Sequence, residues 1–202
     1  MQGYTPDGSY DDANPFAGMW MDGDSLAPPC GAEPSILPAI LNLLSLGEGD
    51  TLLDLGCGDG RVCLAATSRS GCVSIGVEIE GDVCERFRDL IAASPCPERV
   101  RCVEGDLRDV DFECATAIHV YLLPEGLDAI ELKAIEWLRS VPGRRIVCNT
   151  WGWSKKWRSE TKKVKVPECN DTLLYVFTAK DCPKEERGKE EEGKEGGTEE
   201  VK

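Results

Sequence analysis

Leu52-Leu-Asp-Leu-Gly-Cys-Gly-Asp-Gly60 is an apolar run that meets an acid, Asp54, and then passes through glycines at positions 56, 58 and 60. A buried parallel strand that turns sharply past a ligand into a helix N-terminus needs this composition. Only glycine lets backbone amides come close to a ligand or take a positive φ without penalty. Arg61-Val-Cys-Leu-Ala-Ala-Thr67 follows at once with helix-compatible residues. Strand, glycine turn and helix are therefore contiguous, as a nucleotide-binding βα unit requires. Further strands follow in series. Val73-Ser-Ile-Gly-Val-Glu78 ends in a carboxylate about 20 residues beyond the glycines, where a ribose-binding acid is expected. Val100 to Asp106 reads as a third strand with an acidic exit, and Ala115 to Tyr121 as a fourth, leading into Leu122-Leu-Pro-Glu-Gly126.

Helical stripes fill the intervals. Ile36, Leu37, Ile40, Leu41 and Leu44 mark a helix over 32–46 that should pack over the cofactor edge. Val83, Phe87, Leu90 and Ile91 mark the inward face of another over 81–94. Leu127, Ile130, Ala134, Trp137, Leu138 and Val141 mark a third, ended by Pro142-Gly143 before a fifth strand at Arg145-Ile-Val-Cys-Asn149. Two β-rich runs, from Lys162 and from Thr172, read as a closing hairpin. The interval between strands five and six is short, so a helix there is reduced to a segment around Trp151-Gly-Trp-Ser-Lys-Lys-Trp157.

The glycine spacing selects the cofactor. Dinucleotide folds use G-x-G-x-x-G to seat a pyrophosphate; here G-x-G-x-G stands two residues after Asp54. This pattern resembles motif I of the class I S-adenosylmethionine-dependent methyltransferases. The resemblance implies a Rossmann-like α/β fold: a seven-stranded, mostly parallel sheet with an antiparallel closing hairpin and helices on both faces. It implies S-adenosyl-L-methionine as cofactor, held by Asp54, Gly56, Cys57, Gly58 and Gly60 at the turn and by Glu78 and Ile79 at the ribose and beyond. Asp106 and Leu107 fall at the adenine, and Tyr121 at the transferred methyl. Asp54-Leu-Gly-Cys-Gly-Asp-Gly-Arg61, Gly76-Val-Glu78, Asp106-Leu107 and Tyr121-Leu-Leu-Pro124 are also similar to the small protein-lysine methyltransferases that modify mitochondrial carrier and ATP-synthase subunits, and to their bacterial relatives.

Composition bounds the rest. The chain has 202 residues, 41% of them hydrophobic, enough for one domain over 29–180 and one site. Residues 1–28 form a Gly/Asp/Pro-rich arm whose Tyr4, Tyr10, Phe16 and Trp20 leave two readings open: a strap across the cofactor mouth, or a leader. Residues 181–202 read as a disordered charged tail of net charge −4, which leaves −10 of the whole-chain −14 on residues 1–180. Such acidity disfavours nucleic acid, since the dense basic segment is confined to 155–165. It favours a basic protein segment or a small molecule as acceptor. The fourth strand also lacks the Asn/Asp-Pro-Pro-aromatic exit with which family members hold planar amines. No apolar stretch approaches the roughly 20 residues of a membrane span. Eleven cysteines without a C-x-x-C pair, beside a single histidine, read as free thiols of a cytoplasmic monomer without a metal site.

Methyl transfer from a sulfonium is an in-line displacement in which the enzyme aligns the reactants and excludes water. Tyr121 is the first catalytic candidate, as the lining of an acceptor channel or as a cover for the adenosine pocket. His119 shares its strand face and reads either as a base or as a buried structural imidazole. Trp151, Trp153 and Trp157 either line an acceptor entrance or cap the sheet edge. Three functions stay open: a protein (lysine) methyltransferase, a small-molecule methyltransferase, and a catalytically silent cofactor-binding protein.

Overall fold

The computed structural model describes residues 26–27, 31–153, 157, 162–165 and 172–183. Most of the N-terminal arm and of the charged tail lies outside them. Five strands form a parallel set: β1 (Thr51–Leu55), β2 (Val73–Glu78), β3 (Val100–Glu104), β4 (Ala117–Val120) and β5 (Arg145–Asn149). β7 (Leu173–Thr178) runs antiparallel to β5 and pairs in turn with β6 (Lys162–Lys165). The sheet order is β3-β2-β1-β4-β5-β7-β6. Chain direction across the sheet reverses between β1 and β4, which opens a crevice at their carboxyl ends.

On one face lie α1 (Leu37–Leu44), α2 (Arg61–Ser70) and α3 (Gly81–Ala92). α4 (Pro124–Ser140) covers the other. This division follows from right-handed crossovers, because β1-α2-β2-α3-β3 steps one way across the sheet and β4-α4-β5 the other. α4 buries Leu127, Ile130, Ala134, Trp137 and Leu138 as its stripe requires, but Val141 caps the helix and is 46% exposed. On α3 the inward positions are Cys84 and Phe87, whereas Leu90 faces solvent. α1 enters through a 3-10 turn at Pro34–Ile36 and buries Ile36, Ile40 and Leu44 against Leu52, Ala117 and Val147. Only the entrance to α1 reaches the site: the Ala32 carbonyl accepts from Arg61 Nη1 at 2.8 Å. Its far end lies under the start of β5, where the Leu44 carbonyl accepts from Arg145 Nε.

Trp153 and Trp157 close over the sheet after β5. Their rings stack at 4.6 Å and both meet Phe177 edge-on. The indole N–H groups donate to the Leu127 carbonyl and to Glu131 Oε1. These two tryptophans cap the sheet; of the short segment around Trp151 to Trp157, residues 154–156 lie outside the described residues. The packed chain also runs past the expected boundary at 180. Asp181 accepts from the Thr178 N–H and hydroxyl at 2.8 Å, and Cys182 is buried in the core beyond it.

Candidate cofactor and methyl-transfer site

The glycine turn is closed by the neighbouring strand. The N–H groups of Gly56 and Cys57 both donate to the Val77 carbonyl at 2.9 Å, and Gly60 N–H donates to the Cys57 carbonyl. Gly56, Gly58 and Gly60 all have positive φ, at 72°, 56° and 73°. Two of them serve different ends. A Cβ at Gly60 would lie 1.9 Å from the Phe87 ring, so this glycine lets α3 pack beneath the turn. A Cβ at Gly58 would meet nothing within 4 Å among the described residues, so this one leaves a face open there.

Glu78 stands against that open face. Its Oε2 accepts from Gly58 N–H at 2.9 Å, and its Oε1 accepts from the N–H groups of Ile79 and Glu80 at 2.8 and 3.1 Å. Three backbone donors thus fix a half-buried carboxylate across the β1–β2 exits and leave lone-pair capacity for a further donor. Ile79 beside it is 62% exposed. One strand further, Asp106 is held by Arg108, whose Nε donates to both carboxylate oxygens and whose Nη2 reaches Oδ2 at 2.5 Å. These bonds and the guanidinium charge hold its carboxyl below the usual range. Leu107 turns the other way, into the core.

Asp54 and His119 are brought together beneath the turn. They are register partners on β1 and β4, both 2% exposed, with Nδ1 2.7 Å from Oδ1. Cys63 Sγ lies 3.8 Å from the second Asp54 oxygen. His119 Nε2 has no partner among the described residues. Asp54 therefore sits below the turn rather than on its open side, and His119 is a buried imidazole. Asp59, whose type and spacing alone do not mark it, braces the turn through Arg61, with Nη2–Oδ2 at 2.8 Å. The described cysteines are all free. Burial, followed by the Asp54 and Glu78 charges, pushes the Cys57 thiol up, and burial pushes Cys84 up to about 12. Neither is a thiolate nucleophile at neutral pH.

β4 ends at Val120, so Tyr121 stands just beyond the ladder, half-buried. Leu122 and Leu123 behind it are 1% and 3% exposed. Tyr121 stacks on Trp151 at 6.0 Å and 23°. Leu26 and Ala27, the described part of the arm, pack here as well. The Leu26 carbonyl accepts from Leu123 N–H, and a Cβ at Gly126 would lie 2.5 Å from that carbonyl oxygen.

The strand order therefore lays Asp106, Glu78, the glycine turn and Tyr121 in a row along one sheet edge. Over residues 54–161 the chain matches the model of the ANTKMT methyltransferase domain. It belongs to that family. The chain is 30% identical over 150 residues to a protein-lysine N-methyltransferase of Saccharolobus islandicus, covering 70% of this chain and 88% of the relative. It is 29% identical over 96 residues to a tRNA1(Val) (adenine(37)-N6)-methyltransferase of Shewanella amazonensis, covering 48% of this chain and 40% of that one. Its fold superposes with a TM-score of 0.67 on a crystal structure of an RNA methyltransferase from Salinibacter ruber in complex with S-adenosyl-L-homocysteine, at 25% identity over 77% of this chain and 95% of that one. The protein is an S-adenosylmethionine-dependent methyltransferase of Rossmann-like fold. Its residues fit that cofactor: the open glycine face admits a phosphate-free nucleoside, and the fixed carboxylate offers an acceptor to a ribose hydroxyl. No helix among the described residues is long and apolar enough to cross a membrane.

Proposed function

We propose that this methyltransferase acts on a lysine amine of a protein. The observation that carries this reading is the β4 exit. Tyr121 is followed by two buried leucines and then Pro124, so this exit offers no carboxamide or carboxylate to receive the two N–H groups of a planar exocyclic amine. An aliphatic amine on a flexible chain needs no such pair of acceptors. The similarity to the lysine enzyme, 30% identity over 88% of its length, supports the same choice. So does a net charge of −10 on residues 1–180, which attracts a basic segment and repels phosphate.

In this reading Glu78 accepts from the ribose hydroxyls, and the amides around Gly56, Cys57, Gly58 and Gly60 face the amino-acid end. Ile79 covers one side of the adenine while Asp106 meets its edge. Leu107 and the Asp54–His119 pair support the row from beneath. Bound S-adenosylmethionine supplies an electrophilic methyl group. The residues around Tyr121 then have to align a neutral amine with it and keep water out. A free lysine amine has a pKa near ~10.4. Its charged form has no lone pair to donate, so the amine must first shed a proton to solvent. We place the enzyme in the cytoplasm, the compartment that suits nine described cysteines, all free.

Two measurements test this. Glu78→Gln replaces an acceptor with a donor facing backbone N–H groups and removes the charge. It should weaken S-adenosylhomocysteine binding about 10- to 100-fold by calorimetry; unchanged affinity would remove Glu78 from the site. Transfer of labelled methyl groups into protein, nucleic-acid and metabolite fractions should place the label on lysine after acid hydrolysis of the protein fraction. Label confined to nucleic acid or metabolites, or none at all beside intact cofactor binding, would defeat the lysine assignment.

A further inference from the structure

Trp153 and Trp157 already cover the sheet, and Trp151 takes no part in their stack. It pairs with Tyr121 instead, and a strained turn aims it there. Trp151 N–H donates to the Asn149 carbonyl at 2.8 Å across Thr150, whose φ is +66°. This is a γ-turn of the rare positive-φ kind with a β-branched residue at its centre, a conformation such residues almost never adopt. Strain of this type persists only where the surroundings over-determine it, and it concentrates at functional sites. Here the surroundings pin both sides. Thr150 N–H donates to the Leu173 carbonyl at 2.8 Å, and Gly152 lies so flat on Tyr175 that a Cβ there would be 2.8 Å from the ring. Trp151 itself is only 9% exposed, so it has little surface to offer a substrate, whereas Tyr121 is half-buried at the edge.

We propose that Trp151 is a positioning residue for the acceptor: it backs the Tyr121 ring and fixes where that ring stands beside an incoming lysine chain. The inference rests on the lysine reading above. An alkylammonium is drawn to the face of an aromatic ring within about 6 Å of its centre. A ring free to swing supplies neither that attraction nor alignment, and a misplacement of about 1 Å can cost about 100-fold in rate.

A double-mutant cycle in the full chain tests it, with a lysine-containing basic peptide as acceptor. Trp151→Leu should lower kcat/KM about 10- to 100-fold and leave the Kd for S-adenosylhomocysteine within about twofold, and Trp151→Phe should restore most of the loss. In a Tyr121→Ala background the same Trp151→Leu change should cost less than about threefold, because the ring it positions is gone. Wild-type kinetics from Trp151→Leu, or an equal loss in both backgrounds, overturns the inference while the lysine reading stands. Failure of the unmodified enzyme to label any lysine overturns the lysine reading and this inference with it. If Trp151→Leu does not fold, Trp151→Met, which also removes the stacked ring, carries the same cycle, and an equal loss in both backgrounds is equally decisive.

Discussion

Arginine at position 58 is expected to abolish S-adenosylhomocysteine binding and leave the domain folded, whereas a single methyl group at position 60 should do the reverse. Both glycines have positive φ, so both substitutions carry a backbone penalty of about 1 kcal/mol. Their surroundings separate them. No described residue lies within 4 Å of a Cβ at Gly58, and its N–H is one of those that Glu78 holds, so an arginine side chain there is expected to project into the space of the nucleoside. Calorimetry should show affinity reduced by more than about 100-fold, with Tm lower by only about 2–4 °C. At Gly60 the added carbon falls 1.9 Å from the ring of Phe87, a fully buried residue on α3. Overpacking of this kind costs about 1–3 kcal/mol beyond the backbone term, so Gly60→Ala should lower Tm by roughly 5–15 °C. Cofactor binding by the folded fraction should survive. Near-native affinity in Gly58→Arg would mean that the nucleoside does not lie on the open face of the turn.

The second large effect belongs to the buried pair. His119→Leu removes the partner of a carboxylate that is 2% exposed and leaves Asp54, among the described residues, only the Cys63 thiol at 3.8 Å. Removing one member of a buried pair costs about 3–5 kcal/mol, on the order of 10 °C in Tm for a domain of this size. Adding Asp54→Asn takes the stranded charge away and should recover part of the loss. Activity supplies the discriminating readout. Assayed well below its melting temperature, His119→Leu should keep kcat within about fivefold of wild type, because the imidazole lies beneath the turn and supports it. A loss of about 100-fold or more in kcat at unchanged folding would give His119 the role of a base.

What the chain discloses depends on how local its physics is. The glycine turn, the strand ending at Glu78 and the fifth strand at Arg145–Asn149 are legible because their geometry is set by adjacent residues. The strand series also discloses that the candidate residues stand in a row, since a parallel sheet delivers every strand exit to one edge. The Asp54–His119 bond is less legible: the partners are 65 residues apart in sequence and meet only through the β1–β4 register. The face of α3 is misjudged by less than a turn. Leu90 fits the apolar stripe as well as Cys84 does, and contact with β3 decides in favour of the smaller residue. Asp181 is read as the first residue of a charged tail because its composition says so, yet its carboxylate satisfies Thr178 and holds Cys182 in the core. The turn at Thr150 is invisible for a different reason. A β-branched residue at positive φ runs against local preference, and conflicts of this kind gather where function demands them.

The nucleoside of S-adenosylmethionine is expected to lie along the strand exits from Asp106 to Tyr121, with its ribose on Glu78. A crystal structure of the protein with S-adenosylhomocysteine tests it most directly. The ribose hydroxyls should lie within hydrogen-bond distance of the Glu78 carboxylate, and the thioether sulfur should point toward Tyr121. A nucleoside bound elsewhere, or a Glu78 side chain turned away from the sugar, would contradict the account.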